Sequence, residues 1–396
     1  MTLTADPDVS VRLVDALRGL WADPSAAVAL HEPFFGGNET AYVRECIETG
    51  WVSSVGKFVD RFEADLADFT GVKRAIAVAN GTAALHVALV LAGVKPGDEV
   101  IVPTLTFVGT ANAVSHAGGI PHFVDSDMLT LGLDPLKLAA YLKLIADIDR
   151  GVVRNRQTGR RIGAVVPVHI YGHPMNIEAL LAVCAALPIP VVEDAAESLG
   201  SWYRERHTGD FGVVSAMSFN GNKTITTGGG GAILTNDEDI GKLAKHITTT
   251  AKKPHAWRFD HDMVAWNYRM PNINAALGCA QLEQLPEFLA DKRRLAARYA
   301  EALSTIPGVR FVPEPPNTRS NYWLNVALVD EGADSGLEAI LVALQRAGIG
   351  ARPAWTLMHR LPMYLDSPRG DLSVAEELAS RIINLPSGVR TARNLR

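Results

Sequence analysis

The sequence has few cysteines, no excess of positive charge and no long apolar run, and each absence excludes a class of protein. Its 396 residues carry 38 lysines and arginines against 43 aspartates and glutamates, which gives a net charge of −5. Scattered basic residues with a weak negative charge provide no field for binding nucleic acid. Because the apolar stretches fall far short of the roughly 20 residues that span a bilayer, we also expect no membrane segment.

The three cysteines, Cys46, Cys184 and Cys279, are far apart and form no C-x-x-C pair. An odd number at these spacings argues against a disulfide framework and against a zinc site, and we expect no bound metal. The first residues, MTLTADPDVS, lack the basic and apolar regions of a signal peptide. Together these features predict a protein of the reducing cytoplasm.

Two common nucleotide-binding motifs are also missing. NGNKT has the lysine and threonine of a P-loop but lacks its upstream glycine, and no strand is followed by G-x-G-x-x-G. The glycines 228–231 lie between two strand-like runs, where they permit a bend rather than a dinucleotide turn. His169 and His173 precede Pro174 at a strand end and do not share a helix face, which disfavours a metal site.

What is present, from about residue 38, is an alternation of apolar strands and helices. The runs AIAVAN, EVIVP, IPHFVD, AVVPVHI and PVVED alternate with helical stretches such as AALHVALVLAGV, LDPLKLAAYLKLIADID and IEALLAVCAAL. Strands that are apolar throughout and separated by helices predict a parallel sheet covered on both faces. FGVVSAMSFN and GGGGAILTN predict shorter strands beside that sheet, and the aperiodic KKPHAWRFDHDMVAWNYRMPN predicts a long functional loop.

A chain of this length usually divides into domains. After the aperiodic segment, a long helix from NINAALG, a strand YWLNVALV, a helix SGLEAILVALQRAG and a final helix SVAEELASRIINL follow in α+β order. We therefore predict an N-terminal helical extension over residues 1–30, a large sheet domain over 31–260 and a smaller domain over 261–396. The boundary between the last two falls near 255–275.

Two segments place polar groups after predicted strands, where open α/β sheets bind ligands. ANGTAA follows the strand AIAVA, and a helix start with Gly81 and Thr82 can seat a phosphate, although Gly-Thr is also a plain helix cap. VEDAAE ends another strand, and the carboxylate of Asp194 can hold a cationic ring nitrogen, with a helix cap as the alternative.

A third segment, SFNGNK, brings Lys223 to the end of the next strand. A lysine next to apolar walls loses its charge readily and can form a Schiff base with a carbonyl, although most single lysines simply lie at the surface. An anion seat, then an acid, then a lysine 29 residues after Asp194 is the order expected of an enzyme that uses pyridoxal phosphate.

At this point the sequence resembles a known family, the pyridoxal phosphate-dependent sugar aminotransferases of the DegT/DnrJ/StrS type. The resemblance extends from about His31 to Pro386, and its motifs are GWVSSVGKFVDRFE, ANGTAALHVAL, DEVIVPTLTFVGTANAV, VPVHIYGHP, VEDAAESLGS, MSFNGNKTITTGGGGAI and NYRMPNINAALGCAQL. It implies the α/β fold-type I architecture of aspartate aminotransferase, with a large, mostly parallel sheet domain and a smaller α+β C-terminal domain. It also implies pyridoxal 5′-phosphate as the cofactor.

By this resemblance, Lys223 forms the Schiff base with the cofactor and Asp194 pairs with its pyridine nitrogen. The resemblance also implies a stacking ring, phosphate contacts, a contact near the ring hydroxyl and one residue from a neighbouring subunit. These are Phe107 for stacking, Gly81, Thr82, Ala83 and Ser218 for the phosphate, Glu197 near the hydroxyl, and Asn267 from the neighbour. Glu197 departs from the Gln or His of many relatives. The shared contact implies a homodimer with shared active sites.

Within the family, the sequence looks closest to the legionaminic acid pathway branch, which is similar to bacillosamine-type 4-aminotransferases. This likeness implies transfer of an amine from L-glutamate, which becomes 2-oxoglutarate, to C4 of a nucleotide-linked 4-keto-6-deoxy-N-acetylhexosamine for surface polysaccharides. Candidates for the sugar side are Ser53, Ser54, Lys57, Tyr322, Trp323 and His359, all equally open to a structural role.

Three alternatives remain open from the sequence. One is a sugar dehydratase, although the branch that dehydrates replaces the lysine with histidine, and Lys223 is present. Another is an aminotransferase for a different keto sugar or a cyclitol. The last is a regulator that binds a ligand on this fold without turnover, although no DNA-binding helix pair is evident.

Overall fold

In the computed structural model, residues 8–330 and 336–396 are described. Twelve α-helices lie in these ranges: α1 (Val9–Leu20), α2 (Glu39–Thr49), α3 (Lys57–Thr70), α4 (Gly81–Leu91), α5 (Val108–His116), α6 (Pro135–Ile145), α7 (Ile177–Ala186), α8 (Glu238–Thr248), α9 (Asn272–Leu303), α10 (Leu337–Arg346), α11 (Ser373–Arg381) and α12 (Val389–Arg393). None of them is both long enough and apolar enough to cross a membrane.

The strands of the same ranges are β1 (Arg74–Val78), β2 (Glu99–Pro103), β3 (Ile120–Val124), β4 (Ala146–Asp149), β5 (Val152–Asn155), β6 (Ile162–Val165), β7 (Val192–Asp194), β8 (Trp202–Tyr203), β9 (Arg206–His207), β10 (Val214–Ser218), β11 (Gly231–Thr235), β12 (Val309–Phe311), β13 (Thr318–Arg319), β14 (Asn325–Val329), β15 (Arg352–Pro353) and β16 (Ile382–Leu385).

The central sheet is continuous across seven strands. Its two parts have the orders β1-β11-β10-β7 and β3-β2-β6, and parallel bridges from Val165 to Val191 and from Val168 to Asp194 join them. Only β11 runs antiparallel to its neighbours β1 and β10; the other pairings of this sheet are parallel. The strands β10 and β11, which the sequence predicted beside the sheet, lie inside it. Both faces of the sheet are covered at these strands, which explains why β10 and β11 are mostly apolar.

Helix α4 is packed closely against the central sheet. Residues 83–89 are all buried, and the helix packs against β10, β11 and α5. A helix that is apolar all round must be covered on every side, which explains the absence of a polar stripe in AALHVALVLAGV. The N-terminus of α4 is therefore fixed at the edge where the parallel strands end.

Two predicted helices end earlier than the sequence suggested. The stretch LDPLKLAAYLKLIADID is helical only to Ile145, and its last four residues form β4, which makes a hairpin with β5. The stretch SVAEELASRIINL is helical to Arg381 and continues as β16. All four residues of β16 are buried, and β16 pairs with β14 and β15, so sheet pairing overrides the helical pattern.

The C-terminal part is built on a second sheet, with the order β12-β14-β16-β15. Helix α1 packs into the same hydrophobic cluster as this sheet, α10 and the C-terminal half of α9. The N-terminal half of α9 packs instead against α2 and α3. The predicted boundary at 260/261 lies in the irregular segment 252–271 before α9, and we retain the division into 1–30, 31–260 and 261–396 as a proposal.

Candidate active site

A cavity of about 280 Å³ opens where β1, β2, β7 and β10 end. Eight residues predicted from the sequence line it: Gly81, Thr82, Phe107, Asp194, Glu197, Ser218, Lys223 and Trp323. The remaining lining residues are Asn80, Leu85, Thr106, Gly109, Thr110, Val168, Ala196, Asn220, Asn222 and Trp355. The chain therefore brings the three separated sequence segments to one place.

The first wall of the cavity is the N-terminus of α4. Asn80 caps this helix, since its side-chain oxygen accepts a hydrogen bond from the Ala83 N–H at 2.8 Å. The N–H groups of Gly81 and Thr82 have no acceptor within the helix, and such groups bind anions. The Ala83 N–H, which was expected to help hold the phosphate, is instead used by the cap, and Ala83 is absent from the lining of the cavity.

Gly81 is required by close packing at this wall. A Cβ atom built at Gly81 would lie 2.7 Å from the Cβ of Ser218, closer than side chains approach each other. The absence of a side chain lets the end of β10 come against the helix N-terminus, so that the Ser218 hydroxyl and the free N–H groups share one recess. The arrangement suits the oxygens of a phosphate.

Asp194 ends β7 and is almost completely buried. One carboxylate oxygen accepts a hydrogen bond from the Thr110 hydroxyl at 2.7 Å, and the other accepts one from the Ala196 N–H at 3.2 Å. Burial raises the pKa of Asp194 above its ordinary value. A buried carboxylate of this kind gains most from a cationic partner, and the ring nitrogen of a protonated pyridine would provide one.

The neighbouring acid, Glu193, has a different role because successive side chains of a strand point to opposite faces. It is fully buried and lies 3.0 Å from His169 Nε2, and it accepts hydrogen bonds from the N–H groups of Gly209, Phe211 and Gly212. Burial would raise its pKa, but these hydrogen bonds hold it below the ordinary value. Glu193 thus fixes the loop behind the cavity.

Lys223 lies between a carboxylate and an aromatic ring. Its Nζ is 3.5 Å from Glu197 Oε1 and 3.8 Å from the centre of the Trp323 ring, and its side chain is 12% exposed. The other oxygen of Glu197 accepts the Tyr171 N–H at 2.7 Å, and Tyr171 has a positive φ of 57°. Burial raises the pKa of Glu197 to about 7, so this carboxyl group exchanges its proton near neutrality.

Aromatic rings form the open side of the cavity. Phe107 is half exposed, and its edge meets the Trp355 ring at 6.0 Å between centroids. Trp355 stacks on Tyr171 at 5.1 Å and on Trp323 at 6.3 Å. The sequence reasoning missed Trp355, and it missed the contact of Thr110 with Asp194. A threonine on the otherwise apolar start of α5 was the one available signal for the latter.

Three of the residues predicted to contact the sugar, Ser53, Ser54 and Lys57, do not line this cavity. Ser53 and Ser54 belong to the loop before α3, where the Ser53 carbonyl accepts the Asn272 N–H at 2.6 Å. Lys57 forms an ion pair with Glu45 and lines a different cavity, beside α2 and α3. Within the described residues of a single chain, these side chains do not meet Lys223.

Tyr322 and His359 also lie outside the cavity lining. The Tyr322 hydroxyl accepts the Glu314 N–H at 3.0 Å, and the residue is buried. His359 Nδ1 is 2.8 Å from the Thr104 hydroxyl, and its Nε2 is 3.2 Å from Glu376. Both have structural partners, and of the two neighbouring candidates Tyr322 and Trp323, Trp323 reaches the cavity.

Asn267 is exposed in the irregular segment before α9 and is absent from the lining of this cavity. The segment is anchored two residues later, where the Arg269 guanidinium donates to the Ala77 carbonyl at 2.8 Å and pairs with Glu63 at 2.6 Å. Asn267 is thus held on the surface.

The cavity fits pyridoxal 5′-phosphate on the chemistry of its donors. The cofactor needs an anion seat, an acid for its ring nitrogen, an amine for its aldehyde and a flat apolar face. The recess at Gly81, the buried carboxylate of Asp194, the amine of Lys223 and the ring of Phe107 supply these in one cavity. Among the described residues, no cluster of side chains could hold a metal ion.

Comparison with known proteins agrees with this description. The model of the DegT/DnrJ/EryC1/StrS aminotransferase family matches residues 34–394. The GDP-perosamine synthases of Caulobacter vibrioides and Escherichia coli O157:H7 are 38% and 36% identical to the chain, each covering 91% of it and 93% of their own length. The crystal structure of the aminotransferase TlmJ from Streptoalloteichus hindustanus matches with a TM-score of 0.81 and 29% identity, over 91% of this chain and 94% of that one.

Proposed function

This chain belongs to the DegT/DnrJ/EryC1/StrS aminotransferase family, and from that premise we propose that it transfers an amine from L-glutamate to C4 of a nucleotide-linked 4-keto-6-deoxyhexose. The family, the fold-type I architecture and the dependence on pyridoxal 5′-phosphate, all expected from the motifs, are confirmed by these matches. The observation that carries the proposal is the meeting of Lys223, Asp194 and the Gly81 recess in one cavity.

When bound, the cofactor supplies an aldehyde that takes up an amine and a protonated ring that accepts negative charge. Asp194, held by Thr110, would keep the ring nitrogen protonated. Lys223 would anchor the cofactor and then, as a free amine, carry a proton at its Nζ. Glu197 lies where it can exchange that proton, because it is the carboxylate within 3.5 Å of the lysine.

The identity of the acceptor sugar is the more specific part of this proposal. Three relatives carry the name GDP-perosamine synthase, which supports a nucleotide-linked sugar that is aminated at C4. The legionaminic acid and bacillosamine branch, with an N-acetylated sugar, remains our prediction. It is based on LHEPFFGGNETAYVRECIETGWVSSVGKFVDRFE, the roughly thirty residues before it, the TGRRI insertion and SFNGNK. A cytoplasmic location accords with three cysteines that are buried and unpaired.

The direct test uses the cofactor-loaded protein and ¹⁵N-labelled L-glutamate. We expect glutamate alone to remove the absorbance of the lysine-bound cofactor and to release 2-oxoglutarate. Addition of nucleotide-linked 4-keto sugars, with and without an N-acetyl group, should then give a product that contains the label by mass spectrometry. A product that has lost water without gaining nitrogen would indicate a dehydratase. The absence of conversion with every amino donor would instead favour a ligand-binding regulator.

Cofactor binding can be tested separately from turnover. Gly81→Ala would bring a methyl group against Ser218, whereas Gly221→Ala adds one where no atom lies within 4 Å. We expect Gly81→Ala to bind pyridoxal 5′-phosphate at least about tenfold more weakly, and Gly221→Ala to bind it like the wild type. Equal affinities in a fluorescence titration would contradict the phosphate seat.

We also propose that the enzyme is a homodimer with shared active sites. Exposed apolar side chains cluster in two segments, with Trp51, Val52 and Val55 in one and Trp257, Phe259, Met263 and Val264 in the other. Val264 is 96% exposed and Trp257 is 79% exposed, which is costly unless another chain covers them. The second segment also carries Asn267, the residue expected to act in the neighbouring site.

Mixed dimers test this arrangement. If Asn267 serves the partner's site, a dimer of one Lys223→Ala chain and one Asn267→Ala chain has one complete site. Mixing the two variants under exchange should restore activity that neither has alone. A monomeric wild type in light scattering would contradict the dimer, and failure of the mixture would contradict the role of Asn267.

A further inference from the structure

A second cavity, of about 420 Å³, borders the cofactor cavity. The two share Asn222, Trp323 and Trp355 as lining residues. The other residues around the second cavity are Leu30, His31, Leu324, Arg352, Pro353, Ala354 and Asn384. This lining contains an arginine and a histidine but no aspartate or glutamate, so its charge is positive. A substrate that reaches from one cavity into the other would pass along the two tryptophans.

His31 is held by a buried lysine. The Lys292 side chain is completely buried, and its ammonium donates to the carbonyl oxygens of Ser387 and Trp323. The same nitrogen lies 3.3 Å from His31 Nε2. In the charged form of Lys292, the two carbonyls accept two of the three ammonium protons and the third is donated to His31 Nε2.

When Lys292 is charged, this hydrogen bond fixes the tautomer of His31. A neutral imidazole that accepts at Nε2 carries its proton on Nδ1. Burial, together with the charges of Lys292 and Lys223, lowers the pKa of His31 well below its ordinary value, which keeps the ring neutral. Among the described residues, Nδ1 has no hydrogen-bond partner, although the atom is buried. A donor without an acceptor therefore lies in the wall of the second cavity.

Arg352 supplies the positive charge of this wall. Its backbone is fixed in β15, opposite Asn384 of β16, while the side chain is exposed. Among residues 8–330 and 336–396, its guanidinium has no acidic side chain within ion-pair distance, and no aspartate or glutamate lines the second cavity. Guanidinium groups bind carboxylates and phosphates through paired N–H donors.

We propose that the second cavity is an anion subsite, in which Arg352 and the His31 Nδ1–H bind an oxyanion of a substrate whose reacting end lies at Lys223. This assignment rests on the proposed function, because it deepens the same active site. Both proposed substrates carry such a group: the distal carboxylate of glutamate and the diphosphate of the nucleotide. Their shared chemistry is a set of charged acceptor oxygens.

Binding of unreactive probes tests the subsite. The cofactor-loaded protein would be titrated by calorimetry with glutarate and, separately, with GDP and UDP. Arg352→Gln removes the charge from an exposed side chain and should leave the fold intact. We expect it to weaken the binding of glutarate, or of the nucleotides, by about tenfold or more. Arg346→Gln, an exposed change at the end of α10, is the matched control and should bind both as the wild type does.

The two anion sources give different outcomes. A loss confined to glutarate assigns the subsite to the amino donor, and a loss confined to GDP or UDP assigns it to the nucleotide. Either loss supports the subsite. Unchanged affinity of Arg352→Gln for all probes, or no measurable binding of any probe by the wild type, would overturn it.

His31→Phe provides a second variant that keeps an aromatic ring but removes the donor. Lys292 retains its two carbonyl acceptors there, and thermal melting checks that the protein is folded. We expect weaker binding of the same probe that Arg352→Gln affects. The proposed function has its own test: it is wrong if glutamate does not alter the absorbance of the lysine-bound cofactor in the wild type. If that change occurs but both variants bind every probe normally, only the subsite is wrong.

Discussion

Two lysines contact Trp323, and of the two Lys223 lines the cofactor cavity, whereas Lys292 is completely buried. Lys223 places its Nζ 3.8 Å from the centre of the indole ring and within reach of the Glu197 carboxylate. Lys292 donates to the main-chain carbonyl of the same tryptophan, and its other neighbours are the Ser387 carbonyl and His31. The amine of Lys223 is therefore accessible to a ligand in the cavity, whereas the amine of Lys292 is not.

The comparison shows that a perturbed pKa does not identify the functional lysine. Burial lowers the pKa of Lys292 to about 7, and a strongly shifted pKa is often taken to mark an active site. Here desolvation alone accounts for the shift, since no charged partner contributes to it. A cavity and a carboxylate partner distinguish Lys223, and these are geometric features.

The strongest test of this distinction is the loss of each amine. We expect Lys223→Ala to lower the rate of 2-oxoglutarate formation from glutamate by at least about a thousandfold, because the proton carrier is gone. Lys292→Met should keep activity within about tenfold of the wild type, provided circular dichroism shows that it is folded. Comparable losses in the two variants would remove the distinction.

The pH dependence of the free energy of unfolding should reveal the lowered pKa of Lys292. The folded-state pKa of about 7 lies below the ordinary value of 10.5, so between these values the unfolded chain binds more protons than the folded chain. This group therefore makes the unfolding free energy rise as pH increases from about 7 to 10.5, by up to about 5 kcal/mol. The difference between wild type and Lys292→Met in urea unfolding should follow that rise. A flat difference would mean that Lys292 titrates normally.

Glu197 should have the opposite effect at lower pH, where it makes the free energy of unfolding fall as pH rises. Its folded-state pKa of about 7 lies above the ordinary value of 4.5, so the folded chain binds more protons between these values. Stability from this group is lost as pH rises from about 4.5 to 7, by up to about 3 kcal/mol. Glu197→Gln keeps an acceptor for the Tyr171 N–H and should be more stable than the wild type above pH 7. Equal unfolding curves at both ends of this range would contradict the shift.

Much of the site followed from the order of motifs along the sequence. Asp194 and Ser218 end β7 and β10, and Gly81 begins α4 three residues after β1. The carboxyl ends of parallel strands meet at one edge of a sheet. The sequence therefore predicted their proximity without any coordinates. It also predicted Lys223, because the lysine follows β10 within five residues.

Other features depend on contacts that no local pattern records. Lys292 lies in DKRRLAARY, which reads as a charged helix surface, yet the C-terminal sheet and the segment at His31 cover it. The contact between Tyr171 and Glu197 requires a positive φ at a non-glycine residue, which tertiary packing must impose. The end of α11 was missed because pairing of β16 with β14 outweighs the helical period.

The smallest expected effect comes from the residue that the two lysines share. Trp323→Phe shrinks the ring under Lys223 and removes the indole N–H that donates to the Asn222 carbonyl at 2.6 Å. The main-chain carbonyl that Lys292 uses is unchanged. We expect amino transfer to fall by about fivefold, since cation–π contacts contribute about 1 kcal/mol, while the Lys292-dependent rise of stability above pH 7 persists. Trp202→Phe, in β8, is the matched control for both measurements. An altered pH slope in Trp323→Phe would show that the two lysine environments are coupled through the ring and not separated by it.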